Sequence, residues 1–546
     1  MLEKSKSFWK DSAILPISAV ITKVFGAFFK IPLTNILGGT GMGYFSSAYG
    51  LLLPIYALSV TGLSASISQA VARSAAMGNF AEVKRIHRIG EISCGILGVI
   101  LSVIIFVLAK PFSVQIAAQP YAVFSVLAIA PAALFGCLTA VERGYWEGLQ
   151  NMTPTAVSQA IEALVKLGLG LYFCQWTLQH ADILCRYVTA DVPLTALAAA
   201  GAVLGVTVST LAGWLYFGVR SVFIRQKMPK SDPKMTVASV KVIFRRLLYV
   251  MIPVALGSLV TNLTSFLDLV TMMRCLGKAQ LLYPDKLIER FGALAKSTDF
   301  PAFVYGSFTR MAVTVFNLVP SVTNMLGKSA LPSAAALWTK SDKNGIAVQS
   351  QKVVATVAGM AFPAAGWLGV LAVPVMEVLY RERPEEAFLA TQSLQSLLPG
   401  MVCLCLVFPL CSILQGIGKA IVPVECMLIG VAVKLAGNLI LIPQPAFCVS
   451  GAGIATSGYY LIILLLINGN LKKAVGQPLK LFRKIWQPAL AATGSTAVVW
   501  VLRDTTVQWN LWLSLGFVGM IGGIVYLGLL WILTGRKVPT AVRLQE

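Results

Sequence analysis

Histidine is almost missing from this chain: His87 and His180 are the only two in 546 residues. Neither has a metal-ligand partner at a usable spacing, and the ten cysteines show no paired spacing that would hold zinc or a redox centre. Cys403, Cys405 and Cys411 share one apolar run, only Cys174 and Cys185 flank a loop, and the set reads as buried small hydrophobes. No P-loop ending in Lys-Ser/Thr occurs, which excludes direct use of ATP through that motif. The glycine-rich GGTGMG at 38–43 lacks a preceding strand and reads as a tight turn between two helices. His180, Asp182 and Arg186 are a thin basis for a glycosyltransferase or ligase, so no catalytic residue and no metal site is expected, and the chain reads as a non-enzyme.

Charge is equally scarce. Only 12% of residues are Asp, Glu, Lys or Arg, against 57% hydrophobic, and mean hydropathy is +0.77. Such a chain has too little polar surface for a soluble globule of this size. At about 20 residues per span, it holds about fourteen transmembrane helices and no large soluble domain. The fold class is therefore all-α and polytopic. The excess of 44 basic over 22 acidic residues would suggest nucleic acid, but in a membrane protein it belongs to cytoplasmic loops, and no nucleic-acid partner is expected. The opening MLEKSKSFWKDSAILP is basic and then apolar without a small-residue cleavage site, so it reads as the start of a first helix.

Hydropathy and breakers place spans near 12–37, 44–72, 89–109, 120–141, 153–177, 193–219, 247–273, 302–326, 353–375, 388–414, 420–442, 450–470, 485–502 and 511–533. With the N-terminus inside, the basic groups Lys84, Arg85 and Arg88, the dense set between Arg220 and Arg246, Lys340, Lys343 and Lys352, and the set between Lys472 and Lys484 all fall on the cytoplasmic side. Both termini are then cytoplasmic in a multi-pass protein of the cytoplasmic membrane. The loop 278–300 breaks the pattern: it is external, carries Lys278, Lys286, Arg290 and Lys296 beside Asp285, Glu289 and Asp299, and reads as a short amphipathic helix or lid.

The two halves repeat. Gly62, Ser64, Ser68 and Asn79 correspond to Gly327, Ser329, Ser333 and Asn344 at one constant offset, and Ile161–Leu167 corresponds to Ile429–Leu435 at nearly the same one. Both halves start on the same side, which makes the repeat parallel. The expected organisation is an N-lobe of six helices over 1–219, a basic cytoplasmic linker over 220–246, a C-lobe of six helices over 247–471, and two further helices with a tail over 472–546.

An ionisable group inside a membrane costs about 2.5–3.5 kcal/mol on insertion scales and marks a functional site by default. Lys23 and Lys30 are seven residues apart in the first span and share a helix face with Gly26 between them. The remaining intramembrane set is Glu162, Lys166, Asp268, Arg274, Arg310, Glu425 and Lys434. Glu162 and Lys166 are one turn apart in the order that favours a pair, Lys434 has Asn438 one turn on, and Asp268 and Arg274 are candidates for a looser pair. Cations outnumber anions, which suits a substrate that brings phosphate into the membrane. Lys23, Lys30, Lys166, Lys434 and Arg310 are the candidate phosphate ligands. Gly26, Glu162, Asp268, Arg274 and Asn438 are the candidate lining or tuning residues, with Arg73 and Arg143 at a cytoplasmic entrance.

The run Thr22–Thr34, followed by Leu37-Gly38, Gly41 and Gly43-Tyr44, resembles the opening of the polysaccharide-transporter branch of the multidrug/oligosaccharidyl-lipid/polysaccharide exporter superfamily, in particular its stage V sporulation protein B-like and lipid II flippase-like members. Thr61–Gln69, Gly78-Asn79 with Lys84-Arg85, and Gly148–Ala156 with the counterpart Leu414-Gln415-Gly416 and Gly418 extend the likeness. The resemblance implies a fourteen-helix, two-lobed flippase. It would move an undecaprenyl-diphosphate-linked sugar precursor by alternating access through a cationic cavity, with Lys23 and Lys30 in the place of the family's first-helix basic residues. It implies partners among lipid-linked oligosaccharides, membrane lipids and cell-wall synthesis proteins, and no cofactor beyond a coupling ion or the membrane potential. A cation-coupled multidrug exporter of the same fold and a non-transporting cell-wall scaffold remain as alternative readings.

Overall fold

A computed structural model describes residues 2–180, 192–223, 237–339, 341–476, 481–505 and 509–534, with side chains from Phe25 onward in the first helix. The helices are α1 (Leu2–Tyr56), α2 (Gly62–Ala76), α3 (Phe80–Pro111), α4 (Val123–Gly148), α5 (Thr153–Gln179), α6 (Leu194–Phe223), α7 (Val240–Leu282), α8 (Pro284–Phe291) and α9 (Phe300–Gly306). They continue as α10 (Val313–Phe316), α11 (Leu318–Thr339), α12 (Lys343–Val370), α13 (Ala372–Leu379), α14 (Pro384–Gly416), α15 (Ile421–Leu441), α16 (Gly451–Val475), α17 (Leu481–Thr505) and α18 (Leu511–Leu533). No strand occurs among the described residues. Among those residues, eleven helices are long and apolar enough to cross a membrane, or twelve if the bent pair Phe300–Phe316 and Leu318–Asn324 is one span. That is roughly the number expected from hydropathy, and the chain is a multi-pass membrane protein.

Lipid-facing surface explains the composition. Along α3, Ile96, Val99, Val103, Phe106 and Val107 are exposed, and so are Trp512, Leu513, Met520, Ile524 and Leu527 of α18. A helix apolar on all sides has to meet either other helices or hydrocarbon. The described cysteines are free, and all except the half-buried Cys403 are buried, as the lack of paired spacing suggested; Cys185 lies outside the described residues. The expected turn at 38–43 is a break inside one long helical stretch: Gly38 takes φ 65° and ψ −176°, where side chains are not tolerated. The expected amphipathic segment in 278–300 is α8 with a 3₁₀ turn behind it, and Leu287 supplies its buried face.

The chain divides into two compact units. The first comprises residues 1–274 and 298–306, the second 275–297 and 307–546. In the first, α5 packs on α6 and α1, and α4 packs on α2, α3 and α6. Gly144 and Gly148 of α4 let α2 approach so closely that a Cβ would meet the carbonyls of Ser64 and Ser68, a small-xxx-small contact. Leu63, Ile67, Val71, Val83, Ile86, Val141, Ile243 and Leu247 form the core where α2, α3, α4 and α7 converge. Tyr44 donates to Asp299 at 2.7 Å, tying α1 to the segment that leads into α9. In the second unit α14 is central, with 78% of its most apolar window buried, and α11, α12 and α16 pack around it. There Arg290 of α8 donates to the carbonyls of Pro445 and Ala446 and to Gln392, at 2.7, 3.1 and 3.0 Å.

One turn geometry recurs in both units. After α2, Gly78 has φ 75° and its N–H donates to Ala75 while Asn79 donates to Ser74; after α11, Ser341 has φ 56°, donates to Trp338, and Asp342 donates to Leu337. After α4, Gln150 has φ 59° and donates to Glu147 with Asn151 donating to Trp146; after α14, Gly418 has φ 81° and donates to Gln415 with Lys419 donating to Leu414. All four are Schellman ends. Asn79 and Asp342 then accept from the N–H three residues on and cap α3 and α12. The structural counterpart of Asn79 is thus Asp342, two residues before the Asn344 that identity alone had matched.

Candidate substrate-binding sites

In the first unit the charged residues gather where α1, α4 and α5 pack. Arg143 of α4 meets Glu162 of α5 at 2.9 Å, and its Nε donates to Ser158 Oγ, also at 2.9 Å. Ser158 and Glu162 are one turn apart on α5, so a single guanidinium spans both. Gly213 on α6 makes room for this carboxylate: a Cβ there would come within 2.5 Å of Glu162 Oε1. The helix spacing that suggested Glu162 with Lys166 is overridden by this cross-helix pair, and Arg143, expected at an entrance, is half-buried within it.

Lys166, one turn further along α5, lies over two aromatic rings instead. Its Nζ is 5.1 Å from the Phe29 ring centroid and 5.3 Å from that of Tyr49. Phe45 packs on both, with centroids 6.1 Å from Phe29 and 5.0 Å from Tyr49. A cation between ring faces is held by their quadrupoles without being neutralised. Among the described residues Lys166 makes no ion pair. Its charge therefore stays available to an incoming anion. Lys30 lies beside Phe29 on α1, half-buried, and its carbonyl accepts from Thr34 at 2.7 Å. A Cβ on Gly26 would meet nothing within 4 Å, so that face of α1 is open. The side chain of Lys23 lies outside the described ones.

In the second unit Lys434 and Asn438 are both buried on α15, the lysine 3% exposed, with its Nζ 5.8 Å from the Tyr459 ring on α16. The two lysines that correspond in the internal repeat therefore each face an aromatic ring in their own unit. Arg310 sits half-buried in the π-helical turn Ser307–Ala312, and its carbonyl accepts from Tyr380 at 3.3 Å. Asp268 is buried on α7, whereas Arg274 is exposed and donates to the carbonyl of Gln115 at 3.0 Å. Glu425 is exposed. Arg73 stands apart from Arg143, at a pocket between α2, α3 and α7.

Reading the residues in order missed the aromatic partners. The density of Phe25, Phe28, Phe29, Tyr44, Phe45 and Tyr49 around the lysines of α1 was the available signal. It also missed a small cluster: His87 bonds Glu142 at 3.0 Å and approaches Glu91, one turn on, at 3.8 Å. One candidate metal-ligand atom from each of the three lies within 4.8 Å of the others.

The helical architecture is that of a multi-pass membrane protein with the multidrug/oligosaccharidyl-lipid/polysaccharide exporter fold. Residues 8–338 match the family described as polysaccharide biosynthesis protein, and the chain belongs to that family. It is 22% identical to stage V sporulation protein B of Bacillus subtilis (strain 168) over 87% of this chain and 86% of that one. It is also 22% identical to lipid II flippase MurJ of the same organism, over 98% of both. Among solved structures, the inward closed conformation of lipid II flippase MurJ superposes with a TM-score of 0.68 at 12% identity, covering 94% of this chain and 97% of that one. An inward-facing multidrug resistance MATE family transporter superposes with a TM-score of 0.65 at 13% identity, covering 85% and 99%.

Proposed function

We propose that this protein flips an undecaprenyl-diphosphate-linked sugar precursor, of the peptidoglycan lipid II class, across the cytoplasmic membrane by alternating access. The observation that carries the reading is Lys166, an intramembrane cation held by Phe29 and Tyr49 with no carboxylate on it among the described residues, and matched in the repeat by Lys434 over Tyr459. An ammonium placed this way offers charge-assisted bonds to diphosphate oxygens, while the aromatic faces accommodate sugar or prenyl carbons. Lys30 and Arg310 add positive charge, Lys23 would extend the same face of α1, and Arg143 holds Glu162 away from Lys166. Relatives named as a lipid II flippase and a sporulation protein support this substrate class and a role in cell-wall or spore-cortex synthesis. The membrane potential supplies the resetting work, about 2.3 kcal/mol per charge per 100 mV.

The test is reconstitution in liposomes with a fluorescent undecaprenyl-diphosphate sugar, comparing wild type with Lys166→Gln and Lys30→Gln under an imposed potential. The expected outcome is potential-dependent transbilayer movement that drops at least tenfold in folded Lys166→Gln, the loss of one charge-assisted contact. Equal movement by all forms would remove these lysines from the mechanism. One observation favours a second reading: Asp268 is a buried acid within α7, as a cation-coupled drug exporter requires. Export of an organic cation driven by a sodium or proton gradient, lost in Asp268→Asn, would establish it instead.

A further inference from the structure

A second basic site lies in the first unit, away from Lys166. Between α2, the start of α3 and the start of α7 is a pocket of about 660 Å³, lined among others by Gln69, Arg73, Glu82, Arg245, Arg246 and Tyr249. Its walls are fixed from below: Ile67, Val71, Ile86, Ile243 and Leu247 belong to the core where these helices converge. Arg85 donates to the carbonyl of Ala238 at 3.2 Å and so anchors the entry to α7 on α3.

Three guanidiniums face one carboxylate here. Glu82 is buried and already engaged: it receives Ser74 Oγ at 3.3 Å and Asn79 Nδ2 at 3.2 Å, and its remaining ion pair, at 3.6 Å, is with Arg246. Among the described residues, the guanidiniums of Arg73 and Arg245 make no hydrogen bond or ion pair, yet both line the same concavity. Holding like charges together around a cavity is unfavourable unless an anion completes the site. The planar fork of arginine matches phosphate oxygens. Beside the arginines, Tyr249 is 83% exposed and Val242, which also lines the pocket, is exposed too, an aromatic and apolar rim of the kind found at a membrane surface.

We infer that this pocket binds a phosphate-bearing anion, the headgroup of a membrane lipid, through Arg73 and Arg245 with Arg246 held in place by Glu82. Acyl chains would leave past Tyr249 and Val242. The pocket's residues are separate from those of the Lys166 and Lys434 sites, and Arg73, expected at a cytoplasmic entrance, lines this pocket.

The full-length protein in detergent is titrated with dihexanoyl phosphatidic acid, with dihexanoylglycerol, which lacks the phosphate, and with inorganic phosphate alone. Thermal melting and native mass spectrometry report binding. Phosphatidic acid is expected to bind wild type and raise its melting temperature, and dihexanoylglycerol to do neither. Arg73→Gln and Arg245→Gln each weaken phosphatidic acid binding by about tenfold, the loss of one charge-assisted contact. Both side chains are exposed, so the single variants should fold, and Arg245→Lys, which keeps the charge but loses the fork, checks that the geometry matters by falling in between. If inorganic phosphate at the same concentration reproduces the arginine-dependent shift, the phosphate site stands and its source is a soluble anion. Binding of phosphatidic acid that is equal in wild type and both glutamine variants, or absent from wild type, overturns the proposal.

Discussion

Arg143 and Glu162 are 19% and 23% exposed, so their pair is neither a solvated surface bridge nor a fully dry one. Breaking a buried pair costs 3–5 kcal/mol because the surviving charge is stranded, and partial exposure reduces that to about 1–3 kcal/mol here. Arg143→Ala should therefore lower the melting temperature in detergent clearly, while Arg143→Ala with Glu162→Ala recovers part of the loss. If the double variant loses the sum of the two single effects, the pair contributes no coupling. Cys448 is a second residue with a measurable consequence. It is fully buried between α15 and α16, and burial pushes its thiol up to about 11. An unfolded thiol ionises near 8.5, so this residue's contribution to stability is complete below that pH and declines as pH rises toward 11. A maleimide at pH 7.5 should leave Cys448 unlabelled until the protein is unfolded, as peptide mass spectrometry would show. At this scale the sequence was partly legible. The correspondence of Ile161–Leu167 with Ile429–Leu435 singles out Lys166 and Lys434 from sequence alone. Arg143 as the partner of Glu162 was not legible, because spacing along α5 reports only neighbours on that helix, and the packing of α4 against it decides the pair.

Helix ends carry the next level of argument. The four Schellman turns demand a residue at positive φ, and only two of them have glycine: Gly78 and Gly418, against Gln150 and Ser341. A side chain in the left-handed region costs about 1–2 kcal/mol, so Gln150→Gly and Ser341→Gly should each stabilise by about 1 kcal/mol after the entropy of a freer unfolded chain is subtracted. Gly38 has the opposite sign. Its φ and ψ fall in a region open essentially only to glycine, and Gly38→Ala should destabilise by about 1–3 kcal/mol. Thermal melts of the three variants beside wild type check both directions. Hydropathy located the apolar centres of the helices well but placed several ends inside the true ones: α3 starts at Phe80 and α12 at Lys343, nine and ten residues before the expected spans. The extensions are polar helical turns begun by the caps Asn79 and Asp342, and a hydropathy window has no means of registering them. Gly38 was visible as a breaker, but its outcome, a sharp bend within continuous helix, depends on a backbone angle that glycine merely permits.

For the whole molecule the open physical question is orientation, and the bent pair around residues 300–324 decides it. The two helical pieces meet at 46°. A broken span would put α8 and the cap of α12 on opposite faces of the membrane, whereas a re-entrant loop would put both on one face. The positive-inside rule favours the broken span, which would put Lys340, Lys343 and Lys352 on the same side as the other basic clusters. The bend itself is tolerable in hydrocarbon only where neighbouring helices bury the freed backbone groups, and Pro301–Ala312 are buried but for Thr309 and Arg310. Lys286→Cys and Asp342→Cys, each in a Cys185→Ser background, test this directly. The other cysteines are buried or half-buried, so background labelling is low. An impermeant maleimide added to intact cells should label Lys286→Cys and spare Asp342→Cys, which becomes reactive only in inverted vesicles. Labelling of both from one side would mean that the bent pair returns to its own face. In that case each later helix changes orientation, the last helix ends on the opposite side from the first, and the parallel relation of the two repeats is lost.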